Sequence, residues 1–135
     1  IKNILEIRVV DSISPQYVLA VPAMIGALLY NESAFSKVSS MLMDFPEEEF
    51  SLYKLAVAKD ALHAHVNRTN FAKTGMKLME IALGTLGSDE EKWLLPYFDN
   101  YTKEGETPAD ETLKKFSICR NDPEKWLEEV LNISD

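Results

Sequence analysis

Four prolines constrain this chain more than any other feature: Pro15, Pro46, Pro108 and Pro123. Proline fixes φ and lacks a backbone donor, so it opens helices far more readily than it continues them. Ser14, Thr107 and Asp122 precede three of these prolines, each with a side-chain oxygen suited to cap a helix N-terminus. Pro46 is followed by Glu47, Glu48 and Glu49, whose carboxylates meet the positive end of a helix dipole. Helices are therefore predicted to start near Pro15, Pro46, Pro108 and Pro123, and a fifth near Ser88, which has Glu91 three residues on as in a capping box. The first runs to about Asn31 with a kink at Pro22, and a short helix comes next over Ser33 to Met43. The helix from Pro46 reaches about Asn67, Asn67 to Asn70 form a turn, and the next helix runs from Phe71 to Leu86 and stops at Gly87. Pro96 bends the Ser88 helix, and the last two helices cover Pro108 to Ser117 and Pro123 to Asn132.

One segment has the other period. From Ile4 to Val10 the side chains alternate, Leu5, Ile7 and Val9 against Glu6, Arg8 and Val10. A lone strand leaves its backbone donors and acceptors unpaired, so it is expected to complete an antiparallel sheet supplied from outside this chain. The fold class is mainly α: an irregular helical domain with one N-terminal β-strand, α+β once the outside sheet is included. Residues 1–135 form a single unit, with the strand in 1–11, a helical body over 15–132 and no second sheet.

The 135 residues are 46% hydrophobic, enough for one core. The net charge of −8, with no basic cluster longer than Lys114-Lys115, argues against nucleic acid as a partner. The longest apolar stretch, Tyr17 to Tyr30, is shorter than a bilayer span and holds Pro22 and Gly26, so it reads as a buried helix and no membrane is expected. A single cysteine, Cys119, excludes an internal disulfide and suits a reducing, cytoplasmic setting. The chain begins at Ile1 without a signal-peptide pattern, which reads as a cut within a longer polypeptide.

Glu6 and Arg8, two apart on a strand, project from one face while Leu5, Ile7 and Val9 anchor the other. At a phosphoryl-transfer site such a pair can hold a magnesium ion and grip phosphate or carboxylate oxygens; the plainer reading is a solvated ion pair. His63 and His65, spaced two apart in a predicted helix, point to nearly opposite sides and read as ordinary histidines. Cys119 reads as a structural thiol, the five methionines as core filler, and Trp93 and Trp126 as core or interface anchors.

The Glu6-x-Arg8-x-x-Asp11 pattern resembles the late sheet strand of the glutamate–cysteine ligase superfamily of carboxylate-amine ligases. The apolar helix over Ser12 to Tyr30 and the Gly105-to-Asp110 segment resemble the family's continuation beyond that strand, so the likeness is to the carboxy-terminal portion of such an enzyme. The resemblance implies an ATP- and Mg2+-dependent reaction of glutathione biosynthesis. In it the glutamate side-chain carboxylate is phosphorylated and the resulting acyl phosphate is attacked by an amine, here cysteine. It also implies that Glu6 is a metal ligand, that Arg8 is catalytic and binds phosphate or substrate, and that Asp11 binds substrate or orients Arg8. The partners it implies are glutamate, ATP, the amine and an amino-terminal catalytic sheet in the same polypeptide or another chain, with a homo-oligomer compatible. The family's other metal-binding acids lie upstream of this strand, so these 135 residues alone are expected to be inactive. The sequence departs from the family where Thr112 replaces a glutamine after the Ala109-Asp110 pair, and where Tyr53-Lys54-Leu55-Ala56 matches only loosely. The competing reading is a non-catalytic helical interaction module that pairs through its edge strand.

Overall fold

The computed structural model describes Ile7, residues 13–125 and Leu127. Helices dominate: α1 (Ala20–Tyr30), α2 (Glu32–Met43), α3 (Phe50–Asp60), α4 (Phe71–Leu83), α5 (Ser88–Asn100) and α6 (Pro108–Cys119). Single 3-10 turns cover Pro15–Tyr17, Glu47–Glu49, Ala61–His63 and Thr102–Glu104. Helical backbone also begins at Pro123. The chain is thus mainly α, as its punctuation requires, and the expected helix starts at Pro15, Pro46, Ser88, Pro108 and Pro123 all coincide with helical turns or helices to within a residue.

The caps explain most of these starts. Asn31 Oδ1 accepts the Ala34 N–H at 3.0 Å to open α2, and Asn70 Oδ1 accepts the Lys73 N–H at 2.9 Å to open α4. Thr107 and Asp110 form a reciprocal box at the head of α6. Asp122 Oδ1 accepts the Lys125 N–H at 3.1 Å. At α5 the cap sits one residue earlier than Ser88-Glu91 suggests: Gly87 is the N-cap, with no side chain to close a box, and its N–H donates to Glu90 Oε2 at 3.3 Å.

Four expectations are corrected. The first helix is not one kinked rod. It starts as a 3-10 turn over Pro15–Tyr17, passes through Val18 and Leu19 in helical dihedrals, and becomes α1 with Pro22 in its first turn, where the missing donor costs no helical hydrogen bond. The helix from Pro46 does not reach Asn67 but ends at Asp60, because Ala61 turns to φ 47°. Beyond that turn lies a small antiparallel pair, β1 (His65–Val66) and β2 (Thr69–Asn70), with His65 opposite Asn70, Val66 opposite Thr69, and a two-residue turn whose Asn67 takes φ 51°. A sheet therefore exists inside the body, where none was expected. Finally, regular α4 ends at Leu83, and the stretch to Leu86 is a tighter turn in which the Thr85 and Leu86 N–H groups donate to the Ala82 and Leu83 carbonyls at 3.0 and 3.3 Å.

The core is built around α1. Ala20 and Ala27 on α1, Met79 and Ala82 on α4 and Leu94 on α5 are buried together, with Met24, Leu28, Leu83, Leu86, Tyr97 and Phe98 packed around them. Alanines on α1 and α4 let three helix backbones approach closely, so the large side chain they enclose, Leu94, is wholly buried. Pro96 leaves the Lys92 carbonyl without its helical donor, yet α5 continues through to Asn100.

Candidate functional site

The residues singled out by their sequence pattern, Glu6, Arg8 and Asp11, lie outside the described residues. Ile7, expected to be buried as the strand's anchor, is 39% exposed and belongs to no regular element. A strand side chain is held by the ladder beside it, and no ladder partner stands beside Ile7 among the described residues. Downstream of the pattern the described chain resumes at Ile13, and its first fixed side chain is Tyr17.

Tyr17 is the centre of a polar cleft of about 360 Å³ lined by Gln16, Tyr17, Asn100, Tyr101, Glu111 and Lys114. Its ring meets those of Tyr97 and Tyr101 edge to face, with centroids 5.7 and 5.4 Å away. Tyr97 and Tyr101, four apart on one side of α5 and its end, lie 5.2 Å from each other. Asn100 Nδ2 donates to the Tyr17 hydroxyl at 2.8 Å, which fixes the Pro15–Tyr17 turn to the end of α5.

The other side of the cleft comes from α6. The Tyr101 hydroxyl donates to Glu111 Oε2 at 2.6 Å, and Lys115 Nζ reaches Glu111 Oε1 at 2.8 Å. Burial first, and then the hydrogen bond to Glu111, push the Tyr101 phenol well above its ordinary value. The Lys115 ammonium, followed by the Tyr101 hydroxyl, holds Glu111 below the usual glutamate range. Lys114 pairs with Glu106 across the mouth. Beside it the Thr107 hydroxyl and amide hold Asp110 low in pKa, while its other oxygen is 3.9 Å from His63 Nε2. Gly105, at φ 72°, makes the left-handed turn that brings Glu111 on α6 back to Tyr101.

Chemically this is a clamp: both carboxylates of the cleft, Glu106 and Glu111, already face ammonium groups. It fastens the stretch that follows Asp11 to the far end of the helical body. Tyr17, Asn100, Tyr101 and Glu111 were not among the residues the sequence singled out; the Tyr97-Tyr101 spacing, an aromatic pair at i and i+4, was the readable sign.

His63 lies on a 3-10 turn and His65 on β1, so neither sits on the helix assumed for them. His65 Nε2 is 2.8 Å from Asn70 Nδ2 across the pair. Among the described residues no three His, Cys, Asp or Glu side chains converge to hold a metal ion. Cys119 is buried, Met79 is in the core, and Met43 and Trp93 are exposed. No single helix among the described residues is long and apolar enough to cross a membrane. No family model, no curated protein and no solved structure matches this chain.

Proposed function

We propose that this chain is part of an ATP-dependent ligase that forms an amide between the glutamate side-chain carboxylate and an amine, cysteine, through an acyl phosphate. The observation that carries the reading is the Glu6-x-Arg8-x-x-Asp11 pattern on an alternating segment that leads into a helical body. ATP would supply the phosphoryl group that activates the carboxylate. In this reading Glu6 ligates Mg2+, Arg8 steadies the charge that builds on the transferred phosphate or the substrate carboxylates, and Asp11 orients Arg8. Two features of the body support it. The Gly105-to-Asp110 segment, the second stretch that resembles the family, has a structural reason for its residues: a left-handed glycine and a capping aspartate. The Tyr17 clamp gives the segment after the motif a rigid footing.

The test is glutamate- and amine-dependent ADP release by the complete enzyme. Arg8→Ala should lower turnover about a hundred- to a thousandfold, the usual loss when one charge-stabilising contact is removed, and leave thermal unfolding nearly unchanged. Wild-type turnover in the variant would reduce Arg8 to a surface charge.

A second reading, a non-catalytic helical interaction module, is favoured by α3 and α6. Their Leu52, Leu55, Leu113 and Ile118 side chains are 53%, 71%, 64% and 76% exposed, uncovered by any described element. Unchanged ADP release in Arg8→Ala would make this the better account.

A further inference from the structure

Helix α4 and the Thr102–Glu104 turn border an open groove of about 550 Å³, a size in the range of small-molecule sites. On the α4 wall Lys73, Lys77 and Glu80 follow one another at four- and three-residue spacing, so they share a face, with Ala72 and Met76 beside them. Thr102, Lys103, Glu104 and Gly105 supply the opposite wall. A Cβ on Gly105 would lie 3.8 Å from that of Ala72, so the left-handed turn rests directly on α4 and the two walls are held together at this end.

Thr102 lacks a partner. The residue is only 4% exposed, and its carbonyl accepts the Gly105 N–H at 3.1 Å, but its hydroxyl makes no hydrogen bond among the described residues. A buried hydroxyl without a partner is costly, and one that lines a groove calls for a group supplied from outside the chain.

The charges select that group. Lys103 is already 3.4 Å from Asp99, but Lys73, Lys77, Glu80 and Glu104 make no ion pair among the described residues, either with one another or elsewhere. Two ammonium groups and two carboxylates thus line one groove without neutralising each other. A plain anion would meet Glu80 and Glu104 and the field of a chain carrying −8, whereas a plain cation would leave both lysines and the Thr102 hydroxyl unused. A small ligand that carries both signs uses every one of these groups. We propose that the groove binds a free α-amino acid with an aliphatic side chain. Its carboxylate takes the Thr102 hydroxyl and the Lys73 and Lys77 ammonium groups, its ammonium faces Glu80 and Glu104, and its side chain lies against Ala72 and Met76. The site is built from α4 and the Thr102 turn alone, so its failure would leave the reading of Glu6 and Arg8 where it stands.

Calorimetric titration of the full chain with L-valine, isovalerate and isobutylamine tests it, because the last two are valine without its ammonium and valine without its carboxylate. Valine should bind, and each analogue should bind about tenfold more weakly or worse. Thr102→Val keeps the shape of the side chain and removes the hydroxyl. It should weaken valine binding about tenfold with no fall in melting temperature, since no hydrogen bond within the chain is lost. Lys77→Met and Glu80→Gln alter exposed side chains without disturbing the core, and each should also weaken valine binding. A wild type that binds no valine overturns the proposal, as does an analogue that binds as tightly as valine or undiminished binding by Thr102→Val. Should Thr102→Val fail to fold, undiminished binding by Lys77→Met and Glu80→Gln overturns it instead.

Discussion

Glu111 and Tyr101 illustrate how much a single hydrogen bond governs in a polar cleft. The Tyr101 hydroxyl donates to a carboxylate that Lys115 also holds, and the carboxyl is thereby kept ionised below its ordinary value of 4.5. A carboxyl with a lowered folded-state pKa stabilises the fold above that ordinary value, and the contribution is lost as pH falls through the lowered one. Tyr101→Phe should therefore lower stability by about 1 kcal/mol at neutral pH, modest because Glu111 is half-exposed to solvent. The gap from wild type should close as urea denaturation is repeated from pH 6 down to pH 3. A gap that persists unchanged at pH 3 would assign the loss to ring packing against Tyr17 and Tyr97. Neither partner was legible as a site residue, since Tyr101 and Glu111 are ten apart and meet only because Gly105 reverses the chain between them. Glu6, Arg8 and Asp11, by contrast, were singled out by local spacing alone and lie outside the described residues.

At the scale of elements, legibility depended on whether the signal was local. Thr107, Asp122 and the prolines act within one turn of themselves, and the helices they open begin where expected. Helix ends fared worse. Nothing near Ala61 in sequence announces a stop, and α3 ends there because the packing of Tyr53 between Phe45 and Phe71 draws the chain back into the β1–β2 pair. Ala61 takes φ 47° and ψ −126°, a region that disfavours a residue with a Cβ and typically costs about 1–3 kcal/mol. Glycine there removes the strain and adds about 0.5–1 kcal/mol of unfolded-state entropy. Ala61→Gly should accordingly raise stability by up to about 2.5 kcal/mol, read as a higher denaturation midpoint with an unchanged slope. A fall of the same size would mean that the alanine methyl packs well enough to outweigh the strain.

For the molecule as a whole, the core is small and centred on one side chain. Leu94 is enclosed by the alanines of α1 and α4, with Met79 and Phe98 around it. Leu94→Ala should cost about 2–5 kcal/mol, because the close-set helix backbones have little freedom to collapse into the space. Calorimetry of wild type and variant measures the loss; a cost below about 1 kcal/mol would show that the helices do close up. The mainly α class was legible from punctuation and apolar period, but the choice of α1 as the central helix was not. Its residues are apolar all round, and only the placement of α4 and α5 shows which side they cover. The core packings of α1 on α4 and α5 already join distant parts of the chain, and the Asn100–Tyr17 hydrogen bond joins positions 83 apart. Closing so long a loop yields its reward only after α1, α4 and α5 have assembled. The clamp on the first turn should thus be the last part of the native state to form and the first to open, so it sets how long the folded chain persists more than how fast it is reached.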